Sequence, residues 1–359
     1  MNQLFRWDQM GLFLLALAAG ILPFAVPEVC AAALREGLTL CSGPLLLSLF
    51  PFLVVSRLLI QCPESDLLAL LFRLAAWGIG IRTPCAARVL CIGFLGGFAP
   101  AASAAAQAVR TGQLTAEEAD ALLPACICSG PSFVVLTVGQ SLLGSAELGV
   151  LLFASQITAN YLTAALLNRF VGVRSVKPGS AAPASPAPPR LDEILADAAI
   201  TYCKLCGFIL FFRMLAAGAG ALLPAGAGTL CSILLEVCSG CDLASRTRRW
   251  GSLLCCAALS VQGLSVLLQV RTICPPEMTL RPLYRARLLH LPLSLALFYL
   301  LLPGGEADVF STLPARVLLM RRVPPDCALL VFAVCCMAAC TLRSGIRQVE
   351  QKQMARNAG

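Results

Sequence analysis

The sequence predicts an all-α polytopic integral membrane protein with about 8–10 membrane segments. Three observations predict it. Eight separate stretches run for 18 or more residues without a charged side chain: Met10 to Pro27, Gly37 to Ser56, Val89 to Val109, Ala121 to Ala146, Leu148 to Asn168, Met214 to Leu235, Trp250 to Val270 and Leu288 to Gly305. That is the length an α-helix needs to cross the hydrocarbon core of a bilayer. Hydrophobic residues make up 58% of the chain and charged ones 13%, with a mean hydropathy of +0.82. Soluble domains carry roughly 25% charged residues, so a large soluble domain is excluded. The stretches are also continuous rather than alternating, which excludes a barrel of short strands and leaves helices, whose backbone groups are satisfied internally.

Along the chain, Met1 to Ala33 has a short polar start with Arg6, then an apolar run. Ala31 to Ala33 could pass for a cleavage site, but with so many later spans residues 1–36 read as an uncleaved first membrane helix. A first membrane region covers 37–170. Within it, Gly93 to Pro100 is rich in glycine, and Gly112 to Leu123 becomes polar. Thr115-Ala-Glu-Glu118 fits a capping box, predicting a short amphipathic helix at the membrane surface. In Ser129-Gly130-Pro131-Ser132, Pro131 cannot continue a preceding helix and suits the first turn of a new one. A helix should restart there.

Residues 171–190 form a linker, because Val176 to Pro189 is rich in Pro, Ala, Ser and Gly. Its basic flanks, Arg169, Arg174, Lys177 and Arg190, place it in the cytoplasm. A second membrane region covers 191–305. In it, Trp250 to Val270 has basic residues on both sides, Arg246, Arg248 and Arg249 before it and Arg271, Arg281, Arg285 and Arg287 after it. This predicts a shallow re-entrant dip turning near Gln262-Gly263. Residues 306–342, including uncharged Cys327 to Leu342, form a C-terminal membrane segment, and 343–359 a polar tail.

The formal charge of +8 does not mark a nucleic-acid binder, because the basic residues sit in short loops between apolar segments. Nineteen cysteines include the close pairs Cys126/Cys128, Cys203/Cys206, Cys238/Cys241, Cys255/Cys256 and Cys335/Cys336. Most lie inside apolar stretches, where cysteine behaves as a small hydrophobe, and the only histidine, His290, stands apart. No metal site and no cofactor are expected. The chain contains no GxxxxGK[ST], HExxH or GxSxG motif, and one histidine leaves little for acid–base chemistry. No enzyme is expected.

What remains is polar chemistry inside apolar sequence. Glu236, in Leu-Leu-Glu-Val-Cys-Ser-Gly, would be costly unpaired in hydrocarbon and should face the protein interior or a wet cavity; Lys204 and Arg213 are the ion-pair candidates. Gln140, Gln156, Asn160, Gln262 and Gln269 suit helix-to-helix hydrogen bonds. A helix N-terminus starting at Pro131 would turn free N–H groups toward a cavity and favour an anion. Arg57 and Arg213 would add to that preference if they face the same space.

The two halves also align weakly. Pro51-Phe-Leu-Val-Val-Ser-Arg57 lies on Gly207-Phe-Ile-Leu-Phe-Phe-Arg213, the interruption at 93–100 on that at 236–240, and the one at 129–132 on that at 262–265. Paired interruptions in two halves point to a transporter-like internal repeat.

On Gly93-Phe-Leu-Gly-Gly-Phe-Ala-Pro100, Thr115-Ala-Glu-Glu-Ala-Asp120, Ser129-Gly-Pro-Ser-Phe133, Leu234-Leu-Glu-Val-Cys-Ser-Gly240 and Leu264-Ser-Val-Leu-Leu-Gln-Val270, the chain resembles the sporulation integral membrane protein family of the YlbJ type. That family belongs to the nucleoside-recognition, or Gate, domain proteins, which are similar to the core of concentrative nucleoside transporters. The resemblance implies two Gate-like repeats with broken or re-entrant helices. It implies a sporulation-associated permease for a small organic anion, with dipicolinate as the candidate, in the bacterial cell membrane or a membrane surrounding the spore. A nucleoside transporter, or a non-transporting scaffold required for sporulation, stands as the alternative. Partners would be the substrate and membrane lipid, and self-association is open. Carried over residue by residue, the substrate-binding candidates are Gly96, Gly97, Ser129, Gly130, Ser132, Glu236, Ser239, Gln262 and Ser265.

Overall fold

The computed structural model describes residues 2–61, 69–171, 191–247 and 250–302, and over them the chain is all-helical. The expected linker apart from Val171, Arg248, Arg249, the C-terminal membrane segment and the polar tail lie outside the described residues. Among the described residues three helices are long and apolar enough to cross a membrane: Ala146–Phe170, Leu191–Leu222 and Gly251–Ile273. Phe13–Ala25 and Pro27–Ser42 would make a fourth if that pair, bent by 110°, is one span.

The uncharged stretches outnumber the long helices because residues inside several of them stop a helix. Helices α1 (Asn2–Ala25) and α2 (Pro27–Ser42) meet at Val26, with Pro27 in the first turn of α2, so the boundary expected after residue 36 falls inside a helix. The stretch Gly37 to Ser56 is cut at Gly43, where α3 (Pro44–Gln61) begins. After α4 (Leu70–Gly78), the stretch Val89 to Val109 is cut at Gly97. Its φ of +80° and ψ of −163° lie in a region that only glycine adopts readily. Helices α5 (Pro84–Gly96) and α6 (Phe98–Arg110) fold back on each other there as a hairpin.

The chain then runs through α7 (Ala116–Cys126), a non-helical break, a π-helix π1 (Ser132–Leu142) and α8 (Ala146–Val171). Helix α9 (Leu191–Leu222) ends before Pro224, and α10 (Ala225–Leu235) and α11 (Val237–Ser245) form a second hairpin about extended Glu236. Last come α12 (Gly251–Val261), α13 (Gly263–Ile273) and α14 (Arg281–Leu301).

Small residues let these short helices pack closely. On α6, Ala101, Ala102, Ala104, Ala105 and Ala108 are all buried, and the helix lies among α3, α5, α7 and α13. A Cβ at Gly139 of π1 would fall 2.5 Å from Gly149 Cα, so π1 rests directly on the α8 backbone. Helix α8 also packs on α7 and α14, and α9 on α2, α3 and α10.

Two expectations are corrected here. Helix α7 has its capping box, with Thr115 Oγ1 accepting from Glu118 N and Glu118 Oε2 accepting from Thr115 N, both at 3.1 Å. Its acids are not solvated, however, because Glu118 and Asp120 are buried and satisfied. Glu118 Oε1 accepts from Thr83 Oγ1 at 2.5 Å. Asp120 accepts from Thr279 N, Thr279 Oγ1 and Leu280 N at 2.8, 2.7 and 3.1 Å. The dip near Gln262 is also absent. Helices α12 and α13 continue as one 23-residue apolar stretch, interrupted by Gln262 in the left-handed conformation at φ 66°. The basic flanks therefore do not bound a hairpin.

Candidate functional site

The interruptions expected from the sequence converge. The turn of the first hairpin, Gly96-Gly97, abuts the break between α7 and π1: a Cβ at Gly97 would fall 2.7 Å from Gly130 N. The turn of the second hairpin, Leu235-Glu236, abuts the break between α12 and α13, where a Cβ at Gly263 would fall 3.0 Å from both Glu236 N and Leu235 O. Gln262 Nε2 joins the two breaks, donating to Ser129 Oγ at 3.3 Å and to Leu259 O at 2.6 Å.

Between these elements lies a cavity of about 660 Å³, counting its open mouth. Its polar wall is Ser129, Gly130, Ser132, Glu236, Cys238 and Gln269, and its apolar wall includes Phe52, Phe98, Phe133, Ile209 and Val266. Of the nine residues expected to bind substrate, Gly96, Ser129, Gly130, Ser132 and Glu236 line the cavity. The other four stand one layer behind. Gly97 shapes the turn, Ser239 donates to Glu236 from its N–H at 2.7 Å and its hydroxyl at 2.8 Å, Gln262 ties the breaks, and Ser265 accepts from Gln269 Nε2 at 2.9 Å.

Glu236 is held by local structure rather than by an ion pair. Its carboxylate also accepts from Cys238 N at 2.8 Å, capping α11, where an anion complements the unsatisfied N–H groups and the helix dipole. Arg213 reaches Glu36 at 2.7 Å instead, and Lys204 is exposed. Arg57 does not line the cavity either, donating to Asp197 at 2.5 Å, Thr201 at 3.1 Å and Ser103 at 3.3 Å. Neither arginine meets the condition of facing the cavity as a lining residue; together they tie α2, α3 and α6 to α9.

Three helix N-termini border the cavity: α6 at Phe98, π1 at Ser132 and α11 at Val237. Of these only α11 has a side-chain cap. The restart expected at Pro131 occurs, as a π-helix rather than an α-helix.

Gln269, Cys238 and the three phenylalanines were not among the expected binding residues. Gln269 carried a usable signal, a lone amide in apolar sequence four residues after Ser265 and therefore on the same helix face. The phenylalanines carried none, because apolar side chains abound in every segment. The chain matches no protein-family model, no curated protein and no solved structure.

Proposed function

We propose that this chain is a membrane permease for a small organic anion, with dipicolinate as the candidate, built from two Gate-like repeats that hold the substrate at mid-membrane. Each repeat comprises a hairpin and an interrupted helix: α5/α6 with α7–π1, and α10/α11 with α12–α13. The observation that carries this reading is that both hairpin turns and the first helix break line one cavity, with the second break packed directly behind it through Gln262–Ser129 and Gly263–Glu236. Irregular backbone at membrane depth is tolerated where it is buried in protein or lines a cavity, and broken helices of this kind build transporter sites.

The anion preference rests on π1 and α6. Both helices begin at cavity-lining residues, Phe98 and Ser132, without a capping side chain, and such ends favour negative charge. The hydroxyls of Ser129 and Ser132 supply further donors. Glu236, by contrast, is engaged by three donors of α11. A neutral nucleoside is the second reading, favoured by the acceptors Glu236 and Gln269 beside the rings of Phe52, Phe98 and Phe133.

Thermal stabilisation of the detergent-purified protein by dipicolinate and by a nucleoside panel separates these readings, with Glu236→Gln and Ser129→Ala as controls. Stabilisation by dipicolinate that both substitutions weaken is the expected result. Nucleoside-only stabilisation supports the second reading. No response to either, together with no uptake into liposomes by correctly inserted protein, overturns transport and leaves a membrane scaffold.

A further inference from the structure

Arg287, on α14, is buried at 7% exposure, yet among the described residues it makes no ion pair. Instead its guanidinium donates to two main-chain oxygens from different parts of the fold. Nη2 reaches Ile127 O at 3.1 Å, and Nη1 reaches Ser260 O at 3.3 Å. Ile127 is the residue that ends α7, and Ser260 lies in the last turn of α12. Both oxygens thus belong to the C-terminal ends of the helices that precede the two breaks. Such ends carry unsatisfied carbonyls and partial negative charge, which accounts for a buried cation without a carboxylate. Asn160 Oδ1 on α8, at 3.1 Å from Nη2, fixes the guanidinium from a third side.

The position of those oxygens gives the arrangement its meaning. Ile127 stands two residues before Ser129, and Ser260 two residues before Gln262. Ser129 and Gln262 are the pair that joins the breaks at the cavity. The breaks are therefore tied twice, by a neutral amide–hydroxyl bond at the cavity and by one planar cation behind it.

We infer that Arg287 is a positioning residue that couples the two interrupted helices, so that displacement of one break is felt at the other. It does not line the cavity, and it acts through Ile127 and Ser260. As an element of transport the coupling rests on the permease reading; as a physical link between two breaks it does not. A lysine would keep the charge but lacks the fork that reaches two carbonyls at once.

Amide hydrogen exchange on the purified full-length protein tests the link without any ligand. In Arg287→Met, which removes the donors while filling similar volume, exchange is expected to rise at least tenfold in the segments around 127–134 and 260–266 together. Protection in the α10/α11 hairpin should stay within about twofold. Arg287→Lys should restore one break more than the other. A rise at one break only, or a uniform rise across all helices, overturns the coupling and leaves Arg287 as an ordinary core residue. Dipicolinate uptake by the same variants adds a separate readout. Lost uptake with paired deprotection extends the coupling to transport, whereas paired deprotection in a protein whose wild type shows no uptake sinks the permease reading alone.

Discussion

Substituting Gly97 by alanine isolates the contact between the first hairpin turn and the first helix break. Two costs combine. The backbone there, at φ +80° and ψ −163°, is one that non-glycine residues adopt at about 1–3 kcal/mol. The added Cβ would also meet Gly130 N at 2.7 Å and Gly130 Cα at 2.9 Å, both backbone atoms with no rotamer to yield. Overpacking of this kind costs about 1–3 kcal/mol more, for a total of roughly 2–6 kcal/mol. Gly80 provides the control, with φ +89° and nothing within 4 Å of its would-be Cβ, so Gly80→Ala carries only the backbone cost. Melting of both variants in the same detergent should therefore place Gly97→Ala below Gly80→Ala by at least the packing share. Dipicolinate binding should fall for Gly97→Ala and be kept for Gly80→Ala. Equal melting temperatures for the two variants would refute the close approach of turn and break.

Other substitutions probe the supports of the site. Thr115→Ala removes the acceptor for Glu118 N and should destabilise by about 1 kcal/mol, read as a lower melting temperature. Asp120→Leu leaves Thr279 N and Leu280 N without their acceptor where α14 begins. Roughly 1.5–3 kcal/mol should be lost for each charged hydrogen bond, seen as faster amide exchange at 278–284. Glu236→Gln replaces a carboxylate that accepts from Cys238 N, Ser239 N and Ser239 Oγ with a group that has only one acceptor oxygen. It should cost about 1–3 kcal/mol and weaken ligand stabilisation, whereas an unchanged melting curve would contradict the cap.

Much of this fold was legible because it follows from breakers and caps. Gly97, Pro131 and the Thr115–Glu118 box each act within a few residues of themselves, and each ends or starts a helix where the sequence places it. Of the nine residues singled out by sequence, five line the cavity and the other four stand behind it, because they cluster at the same breakers and polar interruptions. What failed depended on partners distant in sequence. Helix α7 reads as a surface helix because its acids look solvated, and only Thr83, Thr279 and Leu280 reveal otherwise. Whether Arg57 and Arg213 face the cavity was open in the sequence, and Asp197 and Glu36, supplied by α9 and α2, pair with them instead. The dip at Gln262 rested on charge in the flanks, and Arg287, one of those flanking residues, is itself buried.

Apart from Arg57, which pairs with Asp197, the buried charges among the described residues follow a rule of sign that bears on the substrate. Cations sit at helix C-termini: Arg88 donates to Ile60 O at 2.9 Å near the end of α3, and Arg287 to the ends of α7 and α12. Anions sit at N-termini, with Glu118 on α7, Asp120 at the start of α14 and Glu236 on α11. Each placement matches charge to helix dipole and satisfies main-chain groups that lipid could not. Around the cavity that matching is incomplete, because α11 has its anion while π1 and α6 have none. An incoming carboxylate would supply the missing sign at those two ends. A neutral solute would instead draw its affinity from the rings and from Glu236 and Gln269. Since that affinity would not depend on the two uncapped ends, placing an acid at Ser132 distinguishes the cases: Ser132→Asp should abolish binding of an anion and leave that of a nucleoside largely intact.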